Sequence, residues 1–206
     1  MCIKGAQEQA MNPGLLTQRL IPRPNWDEYF MALAKVTSTR STCSSRPVGC
    51  VIVKENRVLV SGYNGPPSGA PHCSDRNAQG DIFCSRRASL VPDSQKQEVC
   101  ESVHAEENAL RLAEKLAIVE SLNGASLYTT LAPCIKCIKR LEEARIRKVF
   151  YEHAYESVDR RRDAEWEATA RGYFDVYEEI HISGPSSFKI ASALVGITSE
   201  RLLPSE

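Results

Sequence analysis

His104-Ala105-Glu106-Glu107-Asn108-Ala109 and Pro133-Cys134-Ile135-Lys136-Cys137 are the two stretches on which the reading of this chain turns. Each stands where a short apolar run hands over to a helical pattern. After the first, Ala109, Leu112, Ala113 and Leu116 recur at helical spacing and predict a helix over 105–116. After the second, a helix runs from Pro133 to about Ala144, with Pro133 suited to a first helical position because its φ is already helical and its missing N–H has no partner to lose there. The Asn123-Gly124 turn and the run Ala125 to Thr130 predict a strand leading into that helix.

Working outward, Asn25 is a plausible cap for a helix on which Trp26, Tyr29, Phe30, Leu33 and Val36 recur up to about Ser41. Val48 to Val53 and Val58 to Val60 are β-branched runs separated by polar Lys54 to Arg57, a hairpin signal. The stretch from Gly62 to Val99 is rich in Gly, Pro, Ser, Asn and Cys and reads as a long loop, a kind that is usually functional or tied down. Lys148 to Glu152 predicts a strand, 157–171 a polar helix and Tyr173 to Ile182 a last strand. The order αββαβαβαβ predicts a mixed, five-stranded sheet flanked by helices in three layers.

Cys134 and Cys137, three apart at a helix start, sit where backbone N–H groups favour thiolates. Alone, C-x-x-C is weak, since it also occurs in redox pairs. With His104 it makes a three-ligand set, and three protein ligands leave a zinc position open for water, whereas structural sites are closed by four. Glu106, two residues from the histidine, is placed to move protons. His-x-Glu with Pro-Cys-x-x-Cys is the signature of zinc nucleobase deaminases, so these residues resemble the cytidine deaminase superfamily. That resemblance implies hydrolytic deamination, with Glu106 serving as both base and acid.

A narrower resemblance lies in Arg40-Ser41-Thr42-Cys43, Val48-Gly49, Gly62-Tyr63-Asn64-Gly65-Pro66-Pro67-Ser68-Gly69 and His72-Cys73, which are similar to the deoxycytidylate (dCMP) deaminase family over about residues 25 to 156. The family resemblance implies conversion of dCMP to dUMP, with Asn64, Ala105 and Tyr155 at the substrate. It also implies Gly62, Tyr63 and Gly65 near an allosteric nucleotide (dCTP activating, dTTP inhibiting, with Mg), and a homo-oligomer, often a hexamer. Arg40 and Arg46 are the phosphate candidates, each weighed equally against a solvated arginine. Some members carry a second, structural zinc; Cys43 and Cys73 fall at matching positions, Cys84 and Cys100 complete a Cys₄ set, and His72 is the substitute ligand. Rival readings are another deaminase substrate (cytidine, a modified dCMP or a tRNA adenosine) and a silent zinc protein that binds nucleotides.

Composition limits these readings. The 206 residues suit one core, expected over 25–183, with an arm at 1–24 and a tail at 184–206 in which Phe188, Ile190, Ala191 and Leu194 are spaced for a short helix. The 26 basic residues are matched by 26 acidic ones, which argues against a nucleic-acid polymer as partner. No run reaches the ~18 apolar residues of a membrane span, and the first 24 residues lack a signal-peptide layout. A cytoplasmic protein is expected, its eight cysteines thiols or metal ligands; in a secreted chain they would mean bridges. Cys50 reads as a small core residue, Cys2 as a thiol in the arm, and Arg160-Arg161-Arg162 as a charged helix face.

Overall fold

A computed structural model describes residues 23–73, 84, 90, 100–154 and 160–195, with only the backbone for 160–163. The expectations for Cys2, the greater part of the arm, Tyr155 and the side chains of Arg160 to Arg162 lie outside these residues. The chain divides into two compact units, one of Pro24–Ser183 and one of Met1–Arg23 with Gly184–Glu206.

Helix α1, Trp26–Ser38, opens on a full capping box: Glu28 N donates to Asn25 Oδ1 at 2.8 Å and Asn25 N donates to Glu28 Oε2 at 2.9 Å. Its helical period is as expected, but the buried face is not the expected stripe. Phe30, Met31 and Ala34 point inward while Trp26, Tyr29 and Val36 are exposed. Gly49 accounts for this orientation, because a Cβ there would stand 2.4 Å from Ala34 O and 2.3 Å from Ser38 N. The helix lies directly on the strand along its Ala34–Ser38 line.

Strands β1, Gly49–Lys54, and β2, Arg57–Tyr63, form a hairpin around Glu55-Asn56, both with positive φ (51° and 58°), as a type I′ turn requires. β2 runs past the expected Val60, so Gly62 and Tyr63 belong to a strand rather than to the loop. Ser61 and Gly62 continue the ladder opposite Val51 and Cys50. Then follow α2, Ala105–Lys115; a 3₁₀ turn, Val119–Leu122; β3, Ser126–Thr129; α3, Ile135–Glu143; β4, Lys148–Tyr151; α4, Arg160–Tyr173; and β5, Val176–Glu179. The last strand is shorter than the expected 173–182 because α4 extends through Tyr173.

The strands pair in the order β2-β1-β3-β4-β5, with β1 antiparallel to both neighbours and β3, β4 and β5 parallel. Side chains alternate across this sheet. Cys50, Ile52, Val60, Leu127 and Val149 join Ala109, Ile138 and Leu141 in a core under α2 and α3. Val51, Val53, Tyr128 and Phe150 join Phe30 and Met31 in a second core under α1. Burying a large aliphatic side chain contributes roughly 1.5–3 kcal/mol, so two filled faces hold the three layers together.

The second unit holds one described helix, α5, Gly184–Val195, in which Ser186 is buried and Phe188, Leu194 and Val195 are exposed. Among the described residues no helix is long and apolar enough to cross a membrane.

Candidate active site

His104 and Cys134 occupy equivalent places: each is the N-cap of its helix, in extended backbone (φ −68°, ψ 154° and φ −72°, ψ 166°). Neither side chain makes a capping hydrogen bond. A histidine or cysteine caps poorly in any case, and here both side chains turn toward each other. α3 therefore starts at Ile135, with Pro133 just outside it rather than at its first position. This places Cys134 at the cap and Cys137 in the first turn, both beside unpaired backbone N–H groups.

Cys134 Sγ lies 3.5 Å and Cys137 Sγ 3.4 Å from His104 Nδ1. Among the described residues these three form the one group of His, Cys, Asp or Glu side chains whose ligand atoms all lie within 4.8 Å of one another. Tetrahedral zinc with its usual bonds to sulfur and nitrogen sets such atoms about 3.6 Å apart, so the donor set fits that ion in kind and in spacing. Glu106 is 4% exposed, and its Oε2 is 3.7 Å from Cys137 Sγ.

The electrostatics of the cluster follow from its contacts. The Cys137 thiol and then the His104 ring hold the Cys134 thiol down at about 4, against the opposing effect of burial. The hydrogen bond with Cys134 lifts His104 to about 8, and Cys137 is held well up because its neighbour takes the first negative charge. Burial raises the Glu106 carboxyl, partly opposed by His104. The corner thus releases one thiol proton readily while a carboxyl beside it is disposed to hold one.

Four sets of contacts fix the helix that His104 caps and that carries Glu106. Gly65 and Val103 exchange both backbone hydrogen bonds, at 3.1 and 2.8 Å, pinning the residue before His104 to the end of β2. Asn108 Nδ2 donates to Tyr63 O at 2.8 Å. Gly62 lets α2 press onto the strand, since a Cβ there would lie 2.2 Å from Ala105 O and 2.6 Å from Ala109 N. Across the helices, Arg140 of α3 pairs with Glu107 and Glu114 of α2.

One cavity reaches this corner, and its walls include Asn64, Arg46, Ala105 and Leu131 as well as His104, Glu106 and Cys134. Cys43, Cys73, Cys84 and Cys100 all face the same cavity, half-buried. No three of these thiols approach to 4.8 Å, and His72 is exposed. Arg46 lines the cavity; Arg40 is exposed in the turn that ends α1. Tyr63 is 40% exposed, and Cys50 is fully buried in the sheet.

Asn64 has a role that sequence reasoning missed. Its Oδ1 accepts from Ser41 Oγ at 2.6 Å and Val48 N at 2.8 Å, and its Nδ2 donates to Arg46 O at 3.0 Å. It folds the whole 41–48 loop around itself and keeps a single N–H for anything in the cavity. Ser44 was missed as well: its hydroxyl, like that of Thr42, is buried with no hydrogen-bond partner among the described residues, and Ser44 lines the cavity. A lone serine in a polar loop carries no signal of this in sequence.

The cytidine and deoxycytidylate deaminase zinc-binding region matches residues 24–153. The deoxycytidylate deaminase of Schizosaccharomyces pombe is 38% identical over 133 residues, covering 65% of this chain but only 38% of the relative. That of Mycobacterium phage D29 is 41% identical over 134 residues, covering 63% of this chain and 95% of the relative. The solved dCMP deaminase of the cyanophage S-TIM5, in complex with dCMP and dUMP, superposes with a TM-score of 0.55 at 27% identity, over 82% of this chain and 99% of that one. The five-stranded sheet and its flanking helices are those of the cytidine deaminase-like fold.

Proposed function

This chain belongs to the cytidine and deoxycytidylate deaminase family, and we propose that it hydrolyses dCMP to dUMP and ammonia. The observation that carries the reading is the open three-ligand corner with buried Glu106 beside it, in a cavity that Asn64 also lines. The relatives named deoxycytidylate deaminase support the choice of substrate.

His104, Cys134 and Cys137 would hold zinc, which when bound supplies the Lewis acidity that makes water reactive near neutral pH. Glu106 takes a proton from the attacking water and gives it to ring N3 as the C4–O bond forms. The same carboxyl then takes the remaining proton from the new C4 hydroxyl and passes it to the amino group, the C4–N bond breaks as C4=O forms, and ammonia leaves. Its burial favours the protonated form between these steps. Asn64, through its remaining N–H, and Ala105 face the sugar and base; Tyr155 belongs with them by resemblance. Arg46 is preferred to Arg40 for the phosphate because it lines the cavity.

Side-by-side assays of dCMP, cytidine and tRNA test the substrate: turnover of dCMP is expected, and turnover of only the other two would refute it. The same reading includes a second, structural zinc on Cys43, Cys73, Cys84 and Cys100, supported by all four residues lining one cavity. Metal analysis should then give two zinc ions per chain, and one would remove the Cys₄ site. Activation by dCTP and inhibition by dTTP with Mg through Gly62, Tyr63 and Gly65, a homo-oligomer such as a hexamer, and a cytoplasmic setting complete the proposal. Turnover with and without each triphosphate, and sedimentation, test the first two.

A further inference from the structure

His104 and Cys137 meet across the seam between α2 and α3, with His104 Nδ1 3.4 Å from Cys137 Sγ. One turn further along each helix a second pair meets across the same seam: Arg140 Nε donates to Glu107 Oε2 at 3.4 Å. Both pairs are 33 positions apart in the chain. Residues three apart on a helix share a face, so the ion pair repeats the ligand contact one turn on. Two turns beyond Glu107 on α2, Glu114 Oε1 accepts from Arg140 Nη2 at 3.0 Å. The guanidinium thus grips α2 at its first turn and its last.

The rest of the network steadies that grip. Arg140 Nη1 donates to Glu143 Oε2 of its own helix at 2.9 Å, and the other oxygen of Glu107 accepts from Arg111 Nε at 3.0 Å. Among the described residues, the only ion pairs that join α2 to α3 are those of Arg140. Apolar packing holds the inner side of the seam, where Ala109 and Ala113 lie in the core with Ile138 and Leu141. Beside it the helices part around a cleft lined by Leu110, Val119, Leu122 and Arg140 itself.

From this juxtaposition we infer that Arg140 is a positioning residue for the metal corner: bound to α2 at two points, it sets the spacing of the helix starts at which His104, Cys134 and Cys137 converge. The inference rests on the reading above that these three side chains hold zinc. Arg140 is 41% exposed, and a single exposed ion pair contributes little to stability. One rigid fork shared among three carboxylates constrains direction more than a lone pair does. The effect therefore falls on how long the corner keeps its metal, not on global stability.

Zinc release from the zinc-loaded protein into a chromogenic chelator tests this. The phase that Cys137→Ser lacks belongs to the catalytic ion. Arg140→Met, which keeps the aliphatic stem, should speed that phase about tenfold, the low end for a change outside the ligand shell. Glu107→Gln/Glu114→Gln should do the same, and Arg140→Lys, charged but without the fork, should fall between. Added salt screens exposed pairs, so it should speed release from the parent and not from Arg140→Met. The urea midpoint should stay close to the parent's in each variant. Release at the parent's rate in Arg140→Met and in the double glutamate variant overturns the inference. So does acceleration in Arg140→Met alone, since the guanidinium would then act without α2, or acceleration matched by faster global unfolding. A parent that retains no zinc overturns both the metal reading and this inference, whereas the expected release rates beside absent dCMP turnover remove only the reaction.

Discussion

The two sets of cysteines in this protein are held in different ways. Cys134 and Cys137 stand at the cap and first turn of a helix, and His104 at the cap of another; both thiols lie within 3.5 Å of the imidazole Nδ1. Cys43, Cys73, Cys84 and Cys100 lie outside helices and strands, line the same cavity, and do not converge to ligand spacing. Two helix starts position the first set. The second set lies on loops, where a metal that bound only the folded arrangement would add its binding free energy to folding.

The largest effect should fall on the first set. Glu106→Gln removes the proton carrier without touching a ligand, so turnover should drop by about 10²–10⁴ while zinc content is kept. Retained activity with zinc in place would refute its role. Cys137→Ser is expected to lose the catalytic zinc, whereas Cys84→Ser should lose only the second ion and lower the melting temperature, with the catalytic ion present. Metal counts on both variants separate the two sites, and loss of the same ion from each would erase the contrast.

Smaller changes probe the supports. Gly62→Ala drives a methyl into Ala105 O and Ala109 N, so overpacking should cost about 1–3 kcal/mol in urea unfolding and displace Glu106 with its helix. Asn64→Ala leaves Val48 N and Arg46 O unpaired beside the thiol loop, with a loss of about 1–3 kcal/mol and a raised KM. Asn25→Ala, far from both sites, removes one cap bond, costing about 1 kcal/mol with kcat unchanged. Equal effects of the Gly62 and Asn25 variants on kcat would show that the close approach of α2 is not what positions Glu106.

Sequence spacing alone determined the ligand set, the carboxyl beside it, the capped first helix, the hairpin and the alternation of strand and helix. Most are local patterns, written by residues within a turn or two of one another, and the ligand set joins two such patterns 30 positions apart. Contacts between distant residues decided the rest. Gly49 and Gly62 became helix seats only once Ala34 and Ala105 lay across them. Asn64 became the hub of a loop some sixteen to twenty-three residues away in the chain. Lys35 met Glu152 across 117 positions, a pairing that no motif marks. Chemistry was legible because zinc and proton transfer demand particular residue types at fixed spacing. Which face of α1 is buried and which arginine faces the cavity depended on how the layers close, and packing leaves no periodic trace of that.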